Sequence, residues 1–396
     1  MRILLASSSS GSRGGGEIFL QYLGQGLAHR GHEVIFWCAD HPRMDELAAG
    51  LSAIGKVIRA PYRNFYDHRT RILATSANFS TSRRIAAEWS ALDPDVVHVN
   101  KQNLEDGLDL LRAANLARRK TVCTIHITQT ARFLGARVAW VRDFLSRRGL
   151  RKYHGPYVAV QETRRKELAA FLANGNQTHT ILNGVPVPID KRAGNVRESK
   201  RRELKISDTE RLVIGVGRME AQKQPLRFLE VAERIARVVP SARFLWIGGG
   251  SLASAWDQRV AERRLGNSVR RLEWQADVKP YLHAADLLLH TAAYEGLPFA
   301  LIEAMAAGLP CAIPKDLAGE INLFSAENVF FTEDEASLAR TLQNPAELAI
   351  KAENAHRLAE EHFSLEKMAR DYEALYQERG ERRAEKGGPV INTEDL

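Results

Sequence analysis

The feature that most constrains this 396-residue chain is an alternation, run twice, of short apolar stretches of strand length with longer segments of helical periodicity. Residues 2–7, 33–38, 56–60, 95–99, 121–126, 157–160 and 179–182 read as strands, with helical segments between them, the first over 17–29. Such alternation predicts a doubly wound parallel sheet. Val185-Pro186-Val187-Pro188 and the charged run 191–202 then read as a linker. Beyond it the pattern restarts, with strands at 211–216, 242–247, 270–274, 285–291 and 311–313 and a helix over 225–238. The expected division is a first α/β domain at 1–185, a linker at 186–200, a second α/β domain at 201–363, a last helix at 364–379 and a polar, disordered tail at 380–396. Two domains suit this length, each large enough for its own core.

Within the second repeat, Tyr294-Glu295-Gly296-Leu297-Pro298-Phe299-Ala300-Leu301-Ile302-Glu303 follows the strand at 285–291 and turns helical at once. Pro298 suits the first helical position, and Gly308 with Pro310 gives the stop signal. A helix N-terminus at the carboxyl edge of an α/β sheet presents amides to an anion. Glu295 lies in the loop and Glu303 about a turn and a half into the helix. Two carboxylates beside a phosphate are unfavourable unless they grip hydroxyls and cations lie near, and a nucleotide sugar supplies the hydroxyls. Taken singly, each glutamate also reads as an ordinary solvated carboxylate, but Glu303 sits between Ile302 and Ala304-Met305 in a helix too apolar to be mostly exposed.

Other positions add to this. Gly217-Arg218-Met219-Glu220-Ala221-Gln222-Lys223 leaves a strand and enters a helix, so Arg218 and Lys223 could converge on a diphosphate, the one as a fork and the other as a point charge. Gly14, Gly15 and Gly16 stand at the first strand-to-helix turn, where glycine lets backbone approach a ligand, although the spacing is neither that of the dinucleotide fingerprint nor that of the P-loop. His126 ends a strand at the carboxyl edge. Asp93-Pro94-Asp95 has a D-x-D spacing but lies at a strand entrance and reads as a turn, so no metal is expected. In 132–153, Leu134, Val138, Val141 and Leu145 make one helical stripe, widened by Phe133, Trp140 and Phe144 and interleaved with arginines. A core-packed helix with a basic outer side is expected there in preference to a membrane-surface helix.

The net charge of +8 is uneven: residues 1–190 hold 26 Lys and Arg against 16 Asp and Glu, and residues 191–396 hold 30 against 32. No zinc spacing, basic zipper or aromatic RNA-binding signature accompanies the basic half, which therefore points to a phosphate-bearing acceptor or an anionic membrane surface and not to nucleic acid. The apolar run after Met1 is too short for a signal peptide and no stretch reaches membrane-spanning length, so a cytoplasmic location is expected, peripheral at the inner face of the cell membrane if the basic half meets lipid. Cys38, Cys123 and Cys311 lie in or beside strand-like runs and read as buried free thiols.

Together these pieces resemble the retaining, nucleotide-sugar-dependent glycosyltransferases of family four, which have the GT-B fold. Gly14-Gly15-Gly16-Glu17 with Arg30-Gly31-His32-Glu33-Val34 resembles that family's opening, Asn183-Gly184-Val185 its interdomain turn, Gly217-Arg218 with Lys223 its phosphate clamp, and Glu295 to Gly308 its two-glutamate signature. The resemblance covers nearly the whole chain. It implies two Rossmann-like domains facing a cleft, with the last helix crossing back onto the first. By the same resemblance Glu303 holds the ribose hydroxyls, Glu295 the donor sugar, and Arg218 and Lys223 the diphosphate, with Gly296 and Leu297 also binding the donor, while Gly15 and Gly16 give backbone contacts and His126 lies beside the transferred sugar. The implied donor is a uridine diphosphate hexose, with no cofactor and no metal, and the acceptor a saccharide or a lipid-linked one of envelope polysaccharide assembly. A nucleotide-sugar epimerase, a transferase of secondary metabolism and a silent carbohydrate-binding relative are the alternatives. Thr291-Ala292 replaces the usual Pro-Ser, Gln161 stands where Ser is common, and 317–320 is poorer in glycine than the usual phosphate-side loop.

Overall fold

A computed structural model describes residues 1–385 apart from 12–13, 69–75, 77, 174 and 189–193, and leaves out the side chains of 194 and 379–385. The chain divides into two compact units. The first takes Met1–Val160, Arg164–Ile181 and the chain from Glu366, and the second takes Gln161–Thr163 and Leu182–Leu365.

In the first unit the strands β1 (Arg2–Ser7), β2 (Glu33–Ala39), β3 (Lys56–Ala60), β4 (Val96–Lys101), β5 (Lys120–Ile125), β6 (Tyr157–Ala159) and β7 (Thr178–Thr180) form one parallel sheet in the order β3-β2-β1-β4-β5-β6-β7. All side chains of β4 are buried, as expected of a strand with helices on both faces. The strand order reverses between β1 and β4, where Ser7 pairs with Asn100. That is the switch point at which open α/β sheets leave a crevice.

The last helix, Leu365–Glu385, packs on this sheet from Glu366 onward. It runs six residues past the expected end at 379, so the expected tail is helical over 380–385, and its remainder lies outside the described residues. Tyr376 meets His98 Nδ1 at 2.6 Å, His98 Nε2 meets Thr124 Oγ1 at 2.8 Å, and Thr124 Oγ1 meets the Tyr372 hydroxyl at 2.8 Å. Glu373 adds an exposed arm, pairing with Arg30 and, at 3.0 Å, with His32. Tyr376→Phe strands His98 Nδ1 in a fully buried position, and chemical denaturation should show a loss of about 1–3 kcal/mol.

In the second unit β8 (Arg211–Val216), β9 (Ala242–Ile247), β10 (Val269–Leu272), β11 (Leu287–Leu289), β12 (Cys311–Ile313) and β13 (Phe330–Phe331) form a parallel sheet in the order β10-β9-β8-β11-β12-β13. Its order reverses between β8 and β11, with Leu287 opposite Val213. Phe228, Trp246 and Trp256 pack together in its core at 5.4–5.9 Å between ring centroids.

Three local expectations are corrected. The charged run taken as linker is largely a helix, Gly194–Glu203. Its seat is ionic: Arg197 and Arg201, one turn apart, grip the carbonyls of residues 283–285 at the end of the helix Lys279–Ala284 and both oxygens of Asp286. Asp286 also accepts from the Leu212 amide at 2.8 Å, which fixes the entrance of β11 beside β8. The expected loop through Gly319-Glu320 is a short helix, Lys315–Glu320, with Asp316 in its first turn where the dipole favours an acid. Finally, 132–153 is core-packed only in its carboxyl-terminal part, where Leu145, Leu150 and Tyr153 meet the core of the first unit. Residues 131–138 form turns, the helix covers Ala139–Arg151, it buries only Ser146 and Leu150, and Phe133, Trp140 and Phe144 stand in solvent.

Candidate active site

Two loops of the second unit leave adjacent strand ends at the switch point, one after β8 and one after β11. They are joined by specific bonds. The Ala293 amide donates to Gln222 O at 2.8 Å, Gln222 Nε2 donates to Tyr294 O at 3.2 Å, and the buried Thr291 hydroxyl is shared between the carbonyls of Lys223 and Gln224 at 3.1 Å. Thr291, a departure from the usual residue, thus welds the loops together. Gln224 has left-handed backbone (φ 47°) and caps the helix Pro225–Val238, which sets the direction in which Lys223 leaves the loop.

The weld places Lys223 against Glu295, whose carboxylate accepts from the ammonium, with the glutamate 5% exposed. His290, the residue after β11, stands 3.6 Å from the same Glu295 oxygen and is itself buried. Burial pushes the imidazole down to about 4, with Lys223 adding to the effect and Glu295 opposing it, so His290 is neutral at pH 7. His290 was missed by sequence reasoning, although a histidine at a strand's carboxyl end is the signal that drew attention to His126.

Arg218 is exposed, at the start of the loop, and among the described residues no carboxylate is paired with it. Glu220, the acid of this loop, is instead held by the amide and hydroxyl of Ser251. Gly248, after β9, packs beneath: its φ is 131°, and a Cβ there would lie 2.2 Å from Gly217 O. The turn after β9 therefore lies directly against the loop that carries Arg218.

Gly296 and Leu297 are positioned through their carbonyls, which accept from Gln161 Nε2 at 2.5 Å and Asn183 Nδ2 at 2.8 Å. Pro298, expected at the first helical position, is instead the extended cap residue (ψ 122°), and the helix runs Phe299–Ala306. Glu303 is half-buried in its second turn. The structure thus brings Lys223, Glu295, Gly296 and Leu297 together and puts Arg218 at the start of the loop that carries Lys223 and Glu303 on the helix after Leu297.

In the first unit the helix Gly15–His29 opens directly after the loop following β1, with Ser12 and Arg13 of that loop outside the described residues. A Cβ at Gly16 would fall 2.0 Å from Gln102 Nε2, so a larger residue would have to displace the end of that side chain. Asn100, at the switch point, joins two expected site residues: its Nδ2 donates to Gly16 O at 2.9 Å and its Oδ1 faces His126 Nε2 at 2.7 Å. With the amide oriented by Gly16, His126 donates from Nε2 and keeps Nδ1 as its lone-pair nitrogen. Burial lowers this imidazole to about 3, and Phe19 packs edge-on at 4.9 Å. Gly15 is exposed at the mouth of the helix. Asp93 pairs with Arg119, and Asp95 accepts from the Arg2 amide at 2.7 Å, both at the amino end of β4 and away from this edge.

The description "Glycosyltransferase Family 4" matches residues 13–187, and "Glycosyl transferases group 1" matches residues 196–362. Over 136 residues the chain is 30% identical to the UDP-Gal:alpha-D-GlcNAc-diphosphoundecaprenol alpha-1,3-galactosyltransferase of Escherichia coli, a match spanning 34% of this chain and 35% of that protein. It is 25% identical to the N-acetyl-alpha-D-glucosaminyl L-malate synthase of Bacillus anthracis, across 95% of this chain and 97% of that one. Among solved structures, the Anabaena protein HepE in complex with UDP and glucose superposes with a TM-score of 0.73 at 18% identity, covering 96% and 99% of the two chains. The sucrose-phosphate synthase of Thermosynechococcus elongatus gives 0.75 at 18%, covering 96% and 100%. With two Rossmann-like parallel sheets, each carrying its loops at the switch point, and with both halves matched in order, the chain belongs to the family-four glycosyltransferases of the GT-B fold.

Proposed function

We propose that this chain transfers a hexose, with retention of anomeric configuration and without a metal ion, from a uridine diphosphate sugar to a saccharide or lipid-linked acceptor of envelope polysaccharide assembly. The observation that carries the reading is the welded pair of loops, which sets Lys223 beside Glu295 and, among the described residues, leaves Arg218 without a carboxylate at the switch point of the second sheet. Arg218 and Lys223 bind the diphosphate, aided by the N-terminus of the helix Phe299–Ala306. Glu303 accepts from the ribose hydroxyls and Glu295 from the sugar, with Gly296 and Leu297 lining the sugar through backbone. Gly15, Gly16 and neutral His126 act on the sugar and acceptor side.

The chemistry follows from where charge develops. As the bond from the anomeric carbon to phosphate oxygen breaks, negative charge grows on the leaving diphosphate and positive charge on the sugar carbon. Fixed cations at the diphosphate lower that barrier. The acceptor hydroxyl attacks from the face the phosphate leaves, and its proton passes to the departing phosphate oxygen, so no protein base is required. The E. coli relative's name, with its UDP sugar and diphosphoundecaprenol acceptor, supports a uridine donor and a lipid-linked acceptor, and the complexes of HepE with UDP and UDP-glucose support the same base.

A panel of nucleotide sugars tested by thermal shift finds the donor, since a ligand of the native state raises its apparent stability. Glu303→Ala should weaken donor binding by roughly a hundredfold, the worth of charged hydrogen bonds to two hydroxyls; undiminished affinity would remove Glu303 from the donor site. Proton NMR of the product reports the anomer, and turnover in chelator tests metal independence. Conversion of the donor with no acceptor present would favour an epimerase.

A further inference from the structure

Residues 131–151 of the first unit carry an exposed apolar surface that includes none of the residues assigned to the transfer reaction. Trp140 is 76% exposed, Val138 65%, Phe133 64% and Phe144 60%, with Leu134 beside them. Large apolar side chains clustered in solvent mark an interaction site. The surface is held rigidly. Asp143 accepts from the Ala131 amide at 2.7 Å and from that of Arg132 at 3.3 Å, and backbone bonds from Leu134 to Thr130 and from Ala136 to Ala131 close the turns. Val138 is held at φ 48°, a conformation that costs a β-branched residue energy and that turns the chain into the helix Ala139–Arg151. Arg142, paired twice with Glu105 at 2.6 Å, and Gly149, packed close to Leu108, anchor that helix from below.

The charge around the patch identifies its occupant. From 131 to 152 the chain has seven Lys and Arg residues against Asp143 alone, and Asp143 is engaged in capping. Arg132, Arg137 and Arg148 are exposed, and among the described residues none has a carboxylate partner. Aromatic side chains, tryptophan above all, set among unneutralised arginines suit the boundary between anionic headgroups and acyl chains, where rings enter the interface and guanidinium groups meet lipid phosphate. We propose that this surface docks the chain on an anionic lipid bilayer, with Trp140 and Phe144 entering the interface and Arg132, Arg137 and Arg148 binding headgroups. The proposal stands apart from the transfer reaction, because docking is measured with no donor or acceptor present.

The test is partition of the whole protein onto vesicles of phosphatidylcholine alone or mixed with phosphatidylglycerol. Binding is expected to the mixed vesicles, to weaken with salt and to be slight on phosphatidylcholine. Trp140→Ala with Phe144→Ala should lower the partition coefficient by roughly tenfold or more, and each of Arg137→Glu and Arg148→Glu by roughly fivefold or more. Brominated lipid should quench wild-type fluorescence and quench Trp140→Phe less. All these positions are exposed, and an unchanged melting temperature shows the variants folded. Failure to bind mixed vesicles, or undiminished binding of the double alanine variant, overturns the proposal. So does self-association without lipid that the double variant abolishes, which would assign the face to a second copy.

Discussion

Replacing Lys223 by alanine is expected to lower kcat on the donor by roughly a hundredfold to a thousandfold, the worth of one fixed charge at a position where negative charge develops. The same change should destabilise the ligand-free protein by about 3 kcal/mol, because it leaves a buried carboxylate without its cation. Glu295 is 5% exposed, and its other near neighbour, His290, is a neutral imidazole at 3.6 Å. The two losses have different origins and can be separated. Lys223→Met combined with Glu295→Gln removes both charges with little change in volume, and it should recover most of the stability and none of the rate. Urea denaturation gives the first quantity and single-turnover kinetics the second.

The pair also says how the site waits for its ligand. Without donor, ammonium and carboxylate satisfy each other. On the proposed reading, a diphosphate gives Lys223 a stronger anion to meet and frees Glu295 for sugar hydroxyls, so binding of the two donor halves is coupled. Uridine diphosphate should therefore stabilise Lys223→Ala less than wild type in a thermal melt, and sugar-bearing donor should lose its advantage over the free diphosphate in Glu295→Gln. Wild-type kcat in Lys223→Ala would remove this residue from the reaction.

Much of this was legible in the chain because period-two and buried-strand runs are local. The strands at 2–7, 56–60, 211–216, 242–247 and 311–313 have the bounds read from sequence, and the others shift by one or two residues at one end or both. Phe330–Phe331 is an edge strand of two residues, too short for any periodicity. Gly194–Glu203 escaped because arginines bonded to carbonyls hold it and an apolar stripe does not, so a search for hydrophobic period reads it as solvated linker. Residues 132–153 misled in the opposite sense: a helical stripe says which residues share a face, but not whether that face meets the core. In the candidate site Glu295, Lys223 and Arg218 were visible as charges at strand ends. Asn100, Thr291 and His290 were not, since their importance lies in bonds and approaches between strands adjacent in space and distant in sequence.

Three buried histidines should make the protein sensitive to mild acid. Burial lowers His98 and His126 from 6.5 to about 3 and His290 to about 4, with His126 adding to the effect on His98. A group whose folded pKa is depressed takes up its proton on unfolding, so its contribution is full above the unfolded value near 6.5 and is lost as pH falls below it. The slope is about 1.4 kcal/mol per pH unit for each histidine. Asp109 acts in the other direction, because burial raises it to about 6 and it binds a proton in the folded state first. From about pH 7.5 to about 5 the histidines cost roughly 2 kcal/mol each and Asp109 returns roughly 1.4, a net loss of about 5 kcal/mol over both units. The first unit, with two of the histidines and Asp109, bears slightly more than half. The window lies above the range in which ordinary carboxylates titrate, which isolates the effect. His98→Gln removes one proton from the balance, and its stability plotted against pH should be shallower by about 1.4 kcal/mol per unit whatever the change in its midpoint. Urea denaturation across the window provides that slope, and an equal slope in wild type and His98→Gln would show that His98 titrates alike in the folded and unfolded chain.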